Sequence, residues 1–387
     1  MVIPYGRQSI TESDIAAVSD VLRSDFLTQG PVVPRFEAAL SQRCGSQFAV
    51  AMNSATSALH LGCKALGVGP GDTVWTSPIS FVASANCAKY CGADVAFVDI
   101  DANTFNMSPE ALEQKLVAAQ QTGTLPKVVI PVHLAGQSCD MAVIHSLSQR
   151  FGFSIIEDAS HAVGSTYNGK PTGNCEFSDI TVFSFHPVKI ITTGEGGMAL
   201  TNSPELARSM SRLRSHGIIR DANEMRQAPD GPWYYEQLEL GFNFRMTDIA
   251  AGLGISQLQR IDEFVSRRNE IAKAYDSMFA NTAVKAPWQS PETYSAFHLY
   301  IVRVNFSACG TTQKQVFEDL HANHIQANLH YIPIYRQPYY QQFGYLREDF
   351  PESEKYYSEA ISLPMYPGLS SADQEFVAQT LLSALGD

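Results

Sequence analysis

The chain has 387 residues, 45% of them hydrophobic and 17% charged, which suits a folded protein with room for two domains and excludes a disordered one. Asp plus Glu (39) outnumber Lys plus Arg (27), and the resulting net charge of −12 argues against nucleic acid or an anionic membrane as partner. The opening MVIPYGRQSI lacks the basic start and apolar run of a signal peptide, and no apolar stretch reaches membrane-spanning length. The 7 cysteines are scattered without zinc spacing, so a cytoplasmic location and no metal are expected.

In chain order, Thr11 is placed to cap a first helix, with Asp14 as the reciprocal acid and Ile15, Val18 and Leu22 as its apolar stripe. SDFLTQGP, at 24–31, ends that helix as a loop. Up to about Asn202 short apolar runs alternate with amphipathic segments. FAVAMN, VWTSP, VAFVDI, VVIPVHL, FSIIED and ITVFSF read as strands, while TSALHLGCKALG, SFVASANCAKYCG and PEALEQKLVAAQ read as helices. GGMALTN adds one more strand. This alternation predicts an α/β fold, a large and mostly parallel sheet covered on both faces. A polar, aromatic-bearing loop spans roughly 217–243, and a long helical pattern runs from about 246 to 279. After Pro287 and Pro291 come a strand (HLYIVRV), a helix (KQVFEDLHAN), a strand (IQANLHYI) and a last helix (DQEFVAQTLLSAL), a smaller C-terminal α+β domain. The expected division is 1–250 for the large domain with its N-terminal arm and 251–387 for the connecting helix and small domain.

Ligands of α/β sheets sit outside the carboxyl ends of the strands. Asp158 in EDASHAVGS, Ser184 and Lys189 in FSFHPVKIITTGEGG all fall at such ends. A lysine in so apolar a setting is unusual for a solvated surface residue. Desolvation there would free its amine to condense with an aldehyde. An anionic Asp158 can hold a pyridine nitrogen protonated, although alone it would read as a turn cap. The helix opening at Ser54, Ala55 and Thr56 offers free N–H groups to a phosphate, and a plain N-cap reading is compatible with that use. Aldehyde, pyridinium and phosphate are the three handles of pyridoxal 5′-phosphate. The glycines Gly194, Gly196 and Gly197 read as a tight turn that positions Lys189.

SDFLTQGP, NSATSALHL, TSPISFVASANCAKYCGADVAFVDID, EDASHAVGSTYNG, FSFHPVKIITTGEGGMALTN and LGFNFRMTDIAAGLG together resemble the DegT/DnrJ/EryC1/StrS family of sugar aminotransferases over nearly the whole chain. The resemblance implies an aspartate-aminotransferase-like (fold type I) architecture and a homodimer with shared active sites. It implies Lys189 as the catalytic lysine that bonds the cofactor and Asp158 as the partner of the ring nitrogen. Phe81 would lie over the ring and His161 near its hydroxyl. Ala55, Thr56 and Ser184 would cradle the phosphate, with Asn243 reaching it from the neighbouring subunit. Ala55, Ser184 and Asn243 also match substrate-contacting positions, as do Tyr5, Asp25, Phe26, Leu27, Thr28, His330 and Tyr331. Within the family the wording is most similar to members that aminate a UDP-linked 4-keto-6-deoxy-2-acetamido sugar in pseudaminic acid biosynthesis, with glutamate as donor. Another 4-ketosugar (perosamine, bacillosamine or arabinose type) stays open. A dehydratase of the same family would carry His in place of Lys189, and a non-catalytic regulator would lack the cofactor set. The donor carboxylate needs a cation, for which Arg220, Arg245 and Arg336 are candidates. His186 and His133 are expected to be structural.

Overall fold

Seven of the short apolar runs pair into a single sheet, because each is too apolar to leave on the surface and too short to form a helix. The computed structural model describes residues 2–386. It opens with α1 (Glu12–Leu22), α2 (Val32–Cys44), β1 (Phe48–Met52), α3 (Ala55–Ala65), β2 (Thr73–Thr76), α4 (Ala83–Tyr90) and β3 (Asp94–Phe97). α5 (Pro109–Thr122), β4 (Val128–Ile130), α6 (Met141–Phe151) and β5 (Ser154–Asp158) continue the alternation. A small hairpin, β6 (Thr166–Tyr167) and β7 (Lys170–Pro171), precedes β8 (Ile180–Ser184), β9 (Gly197–Thr201) and α7 (Pro204–Leu213).

The sheet order is β1-β9-β8-β5-β4-β2-β3. β9 runs antiparallel to both its neighbours, and the remaining pairs are parallel. Six strands therefore end at one edge, and β9 begins there. That edge gathers Asp158, Ser184, the start of α3 and the turn into β9. The predicted α/β fold with a mostly parallel sheet is what forms.

Beyond a short ribbon, β10 (Ile218–Ile219) with β11 (Glu236–Gln237), come α8 (Asp248–Leu258) and α9 (Ile261–Met278). The expected single helix over 246–279 is thus two. The break at Gln259–Arg260 carries neither Gly nor Pro; the turn closes through i→i−3 bonds from Gln259 N–H to Ser256 O and Arg260 N–H to Gln257 O. Arg260 and Gln257 both reach back to buried Asp14 and to Ser9 O, a tertiary anchor invisible to local periodicity. α9 joins two cores: Phe264 and Val265 pack with Phe36, Phe183 and Phe185, while Ile271, Ala272 and Tyr275 pack with the C-terminal sheet.

That second sheet pairs β12 (Val284–Lys285), β14 (Tyr300–Val304) and β15 (Ala360–Leu363), whereas β13 (Thr293–Tyr294) joins the β6–β7 hairpin. α10 (Gln313–Ala322), a short α11 (Pro338–Gln341), α12 (Pro351–Glu359) and α13 (Ser371–Leu385) complete it. IQANLHYI is not the expected strand. Ile325 makes one bridge to Ile3 and Asn328 one to Ser362, and the chain then brings His330 and Tyr331 to the strand ends that carry Asp158 and Ser184. The strand that pairs with β14 is instead β15, which pattern reading missed. The N-terminal arm crosses to the same unit, with Ile3 buried in its core and Tyr5 O accepting Met365 N–H.

Asp14 accepts the N–H of Thr11 at 2.8 Å, as the capping box requires. Of the expected apolar stripe of α1, however, Val18 is half-buried and the other two residues face outward. Ile15 is 50% and Leu22 56% exposed, and the buried positions are Asp14 and Val21. All seven cysteines are free thiols, and five are buried. Among the described residues no helix is long and apolar enough to cross a membrane.

Candidate active site

The segment between β8 and β9 is a closed loop rather than a slack one. Phe185 N–H bonds Gly196 O at 2.9 Å, Thr193 N–H returns to Phe185 O at 3.0 Å, and Thr192 Oγ donates to the same carbonyl. Gly194, at φ +81°, donates its N–H to Thr192 Oγ, the turn that the sequence suggested. Lys189 is held at the loop's rim, its N–H on His186 O, and its side chain lines a cavity of about 620 Å³. Desolvation lowers its amine to about 8, against the opposing pull of Asp158.

Asp158 ends β5, almost wholly buried, and lines the same cavity. Its Oδ1 accepts Ser160 N–H at 3.1 Å and its Oδ2 accepts the hydroxyl of Ser84 at 2.6 Å. Ser84 Oγ lies 2.7 Å from Ser80 Oγ. His161, two positions past Ala159, is buried. Its Nδ1 accepts Ala135 N–H at 3.2 Å, which leaves the proton of the neutral ring on Nε2, 3.1 Å from Tyr331 Oη. Burial, then the charge of Lys189 and His330, holds His161 well below the ordinary histidine range. His330 is pushed down to about 3 by burial and Lys189, and its Nδ1 meets Ser362 Oγ at 2.9 Å. The cation at this site is therefore Lys189, with the neutral imidazoles of His161 and His330 near it.

Also lining the cavity, Ser54 caps α3 by accepting Ser57 N–H, so the N–H groups of Ala55 and Thr56 have no partner within the helix. Ala55, Thr56 and Ser184 all line the cavity. Gly197 makes this approach possible: a Cβ there would stand 2.3 Å from Ala55 N. Phe81 lines the cavity with 58% of its surface open, unusual for a phenylalanine, and its ring centroid sits 6.1 Å from that of Tyr331. A lowered amine, a buried carboxylate, a helix N-terminus and an open aromatic face match the aldehyde, ring nitrogen, phosphate and ring face of pyridoxal phosphate, and the cavity is of the size that ligand sites have.

Of the residues expected from the sequence, Lys189, Asp158, His161, Phe81, Ala55, Thr56, Ser184, Tyr5, His330 and Tyr331 meet at this cavity. Asn243, Asp25, Phe26, Leu27 and Thr28 are not brought to it. They are exposed, with Asn243 bridged to Ser215 and Thr28 to Thr247. Among the described residues that line the cavity none is an arginine. Arg336 is engaged by Glu354, Arg245 by Ser215 Oγ, and Arg220 lies over the Tyr235 ring. The sequence reading missed Ser84, Ser80, Ser160, Asn328 and Gln337. His186, expected to be structural, lines the cavity from an exposed position. Ser84 had one signal available, a hydroxyl inside an alanine-rich buried helix.

Compared with known proteins, residues 8–382 match the DegT/DnrJ/EryC1/StrS aminotransferase family. The chain is 40% identical to the spore coat polysaccharide biosynthesis protein SpsC of Bacillus subtilis, over 98% of this chain and 96% of that one. It is 36% identical to the UDP-4-amino-4,6-dideoxy-N-acetyl-beta-L-altrosamine transaminase of Campylobacter jejuni, over 99% and 98%. Among solved structures, Helicobacter pylori PseC, an aminotransferase involved in the biosynthesis of pseudoaminic acid, superposes with a TM-score of 0.90 at 32% identity, covering 100% of both chains.

Proposed function

The chain belongs to the DegT/DnrJ/EryC1/StrS aminotransferase family and is a pyridoxal-phosphate-dependent sugar aminotransferase, and from that premise we propose that it aminates C4 of a UDP-linked 4-keto-6-deoxy-2-acetamido sugar with glutamate as donor, in pseudaminic acid biosynthesis. The observation that carries the catalytic reading is the meeting of one lowered amine, one buried carboxylate and one helix N-terminus in a single cavity.

Pyridoxal phosphate, when bound, supplies an aldehyde to carry the amino group and a ring to delocalise the charge of proton removal. Lys189 Nζ, lowered to about 8, would hold the cofactor through its aldehyde and, when free of it, would hold and move the proton at substrate C4. Asp158 would hold the proton at the ring nitrogen. Ala55 and Thr56 would bind the phosphate through their N–H groups, with Ser184 lining the same cavity. His161 Nε2–H and Tyr331 Oη, which line the same cavity, would contribute to holding the ring, and Phe81 would help exclude water from it.

Asn243 and the 24–28 loop fit this scheme as contributions to a neighbouring subunit's site. They stand exposed and away from their own cavity, beside open apolar side chains such as Phe26, Leu27 and Leu240. With no arginine among the described residues that line the cavity, the donor carboxylate calls for a cation from outside it, and Arg220 on the 217–243 loop is the one we assign.

UDP- and dTDP-linked 4-ketosugars assayed with glutamate test the substrate; turnover on a hexose without the 2-acetamido group and none with it would overturn the assignment. Mixing Lys189→Ala with Asn243→Ala chains tests the shared site. Neither variant alone turns over, and the mixed dimer recovers activity only if each site draws on two chains.

A further inference from the structure

We propose that Ser84, backed by Ser80, is a positioning residue that aims the Asp158 carboxylate at the cofactor ring nitrogen and holds it as an acceptor there. The inference rests on reading Asp158 as the partner of that nitrogen.

A carboxylate can turn about its terminal bond, and an acceptor that turns cannot keep one oxygen on a ring N–H. Here both oxygens are pinned from different elements. Ser160 N–H holds Oδ1 at 3.1 Å from the turn after β5, and Ser84 Oγ–H holds Oδ2 at 2.6 Å from α4. Rotation of the carboxylate breaks both bonds at once. Neither bond uses up its oxygen, since each carboxylate oxygen accepts about two hydrogen bonds.

The direction of the chain of hydroxyls follows from counting protons. Ser84 has one hydroxyl proton and gives it to the carboxylate, which has none to offer. The contact of 2.7 Å between Ser80 Oγ and Ser84 Oγ must then run from Ser80 as donor to Ser84 as acceptor. Ser84 is fully buried and Ser80 nearly so. In such surroundings each donor strengthens the next, and together they hold the Asp158 oxygens in one orientation as acceptors. An ordinary serine within a helix donates to the carbonyl one turn back. Ser84 does not: its hydroxyl bonds are to Asp158 and Ser80. Phe81, three residues earlier in the chain, lines the cavity.

The test is equilibrium binding of two probes to cofactor-free protein: pyridoxal phosphate, and its 1-deaza analogue, in which carbon replaces the ring nitrogen. Ser84→Ala is expected to weaken pyridoxal phosphate by about tenfold to a hundredfold, the usual worth of a hydrogen bond to a charged group, and to leave the analogue within about twofold of its wild-type affinity. Ser84→Thr, which keeps the hydroxyl, restores the difference between probes. Ser80→Ala shows the same selectivity at a few-fold scale, and serves if Ser84→Ala does not fold. Equal losses on both probes would reduce Ser84 to a packing residue and overturn the proposal. Asp158→Asn separates the two readings. If it discriminates between the probes and neither serine variant does, the serine relay falls alone; if it does not discriminate, the Asp158 reading falls and takes the relay with it.

Discussion

Replacing Gly197 with alanine should detach the cofactor's phosphate site while leaving the fold nearly intact. The added Cβ would lie 2.3 Å from Ala55 N, 2.4 Å from Ser54 C and 2.6 Å from Ala55 Cα, all backbone atoms that no rotamer change can move aside. Ordinary contact with a Cβ begins near 3.4 Å, so the first turn of α3 must retreat by about 1 Å or β9 must bow away from it. A displacement of about 1 Å at a site built for one geometry costs up to about a hundredfold, so a loss of about tenfold to a hundredfold in pyridoxal phosphate affinity is expected. Overpacking itself costs about 1–3 kcal/mol. For 387 residues at about 2.1 cal/mol/K each, the melting point of the cofactor-free protein falls by only about 1–4 °C. The assay pairs a cofactor titration with that melt. Gly45→Ala is the control. It sits at φ +80° with nothing within 4 Å of the new Cβ, so it should lower the melting point by a similar amount and leave cofactor affinity untouched. If Gly197→Ala bound pyridoxal phosphate as tightly as the wild type, the start of α3 would not be the phosphate site.

Lys189 predicts a pH dependence with a definite sign. Its amine is lowered to about 8 in the fold against an ordinary 10.5, so the neutral fraction, and with it the rate of cofactor capture by apoprotein, should rise about tenfold per pH unit below 8 and level off above. By linkage the unfolded chain holds the extra proton between about 8 and 10.5, so this group's contribution to apoprotein stability rises with pH across that window; stopped-flow capture and pH-dependent melts read the two effects. Lys189→Ala should abolish both turnover and the visible band of covalently held cofactor. Phe81→Ala should weaken pyridoxal phosphate several-fold yet shift the apoprotein melt little, because the ring is 58% exposed in the unliganded chain. Tyr331→Phe removes the hydroxyl from His161 Nε2 and should cost about 0.5–1.5 kcal/mol in unfolding free energy, with a fall in kcat/KM of a few-fold; an unchanged kcat/KM would place that pair outside the reaction.

Much of the site was legible because its residues come from short, local motifs. An apolar strand followed at once by Asp158, an apolar loop around Lys189, and hydroxyls opening α3 each announce themselves within a few positions, and the parallel sheet brings strand ends together without any side-chain detail. What stayed hidden is tertiary. Ser84 and Asp158 are 74 residues apart in sequence, and nothing in the alanine-rich run around Ser84 says which face of α4 meets β5. His330 and Tyr331 were placed in the site by resemblance but on a strand that does not exist. Alternation in IQANLHYI mimics a half-buried strand, while the partner edge it would need is occupied by β15. The break between α8 and α9 likewise depends on Arg260 finding Asp14, 246 residues away.

α1 shows how a failed expectation can itself be informative. Its apolar stripe was expected to face the core, since that is what an amphipathic helix of a monomer does. The helix is instead turned by Asp14, which is buried and tied to Arg260 and Gln257, so that Ile15 and Leu22 point away from the chain's own core. A buried carboxylate with two charged or amide partners fixes orientation strongly, because leaving it unpaired would cost more than exposing two aliphatic side chains at about 25 cal/mol per Å². The 24–28 loop follows directly, with Phe26 and Leu27 also open, and these are the segments whose expected substrate role the single chain leaves unfilled. On the proposed shared site, a second copy of the chain against α1 would cover the exposed side chains and receive the loop. Ile15→Glu combined with Leu22→Glu should therefore lower the assembly state in sedimentation and reduce turnover together. Loss of assembly with full turnover per chain would separate the two and remove the loop from the active site.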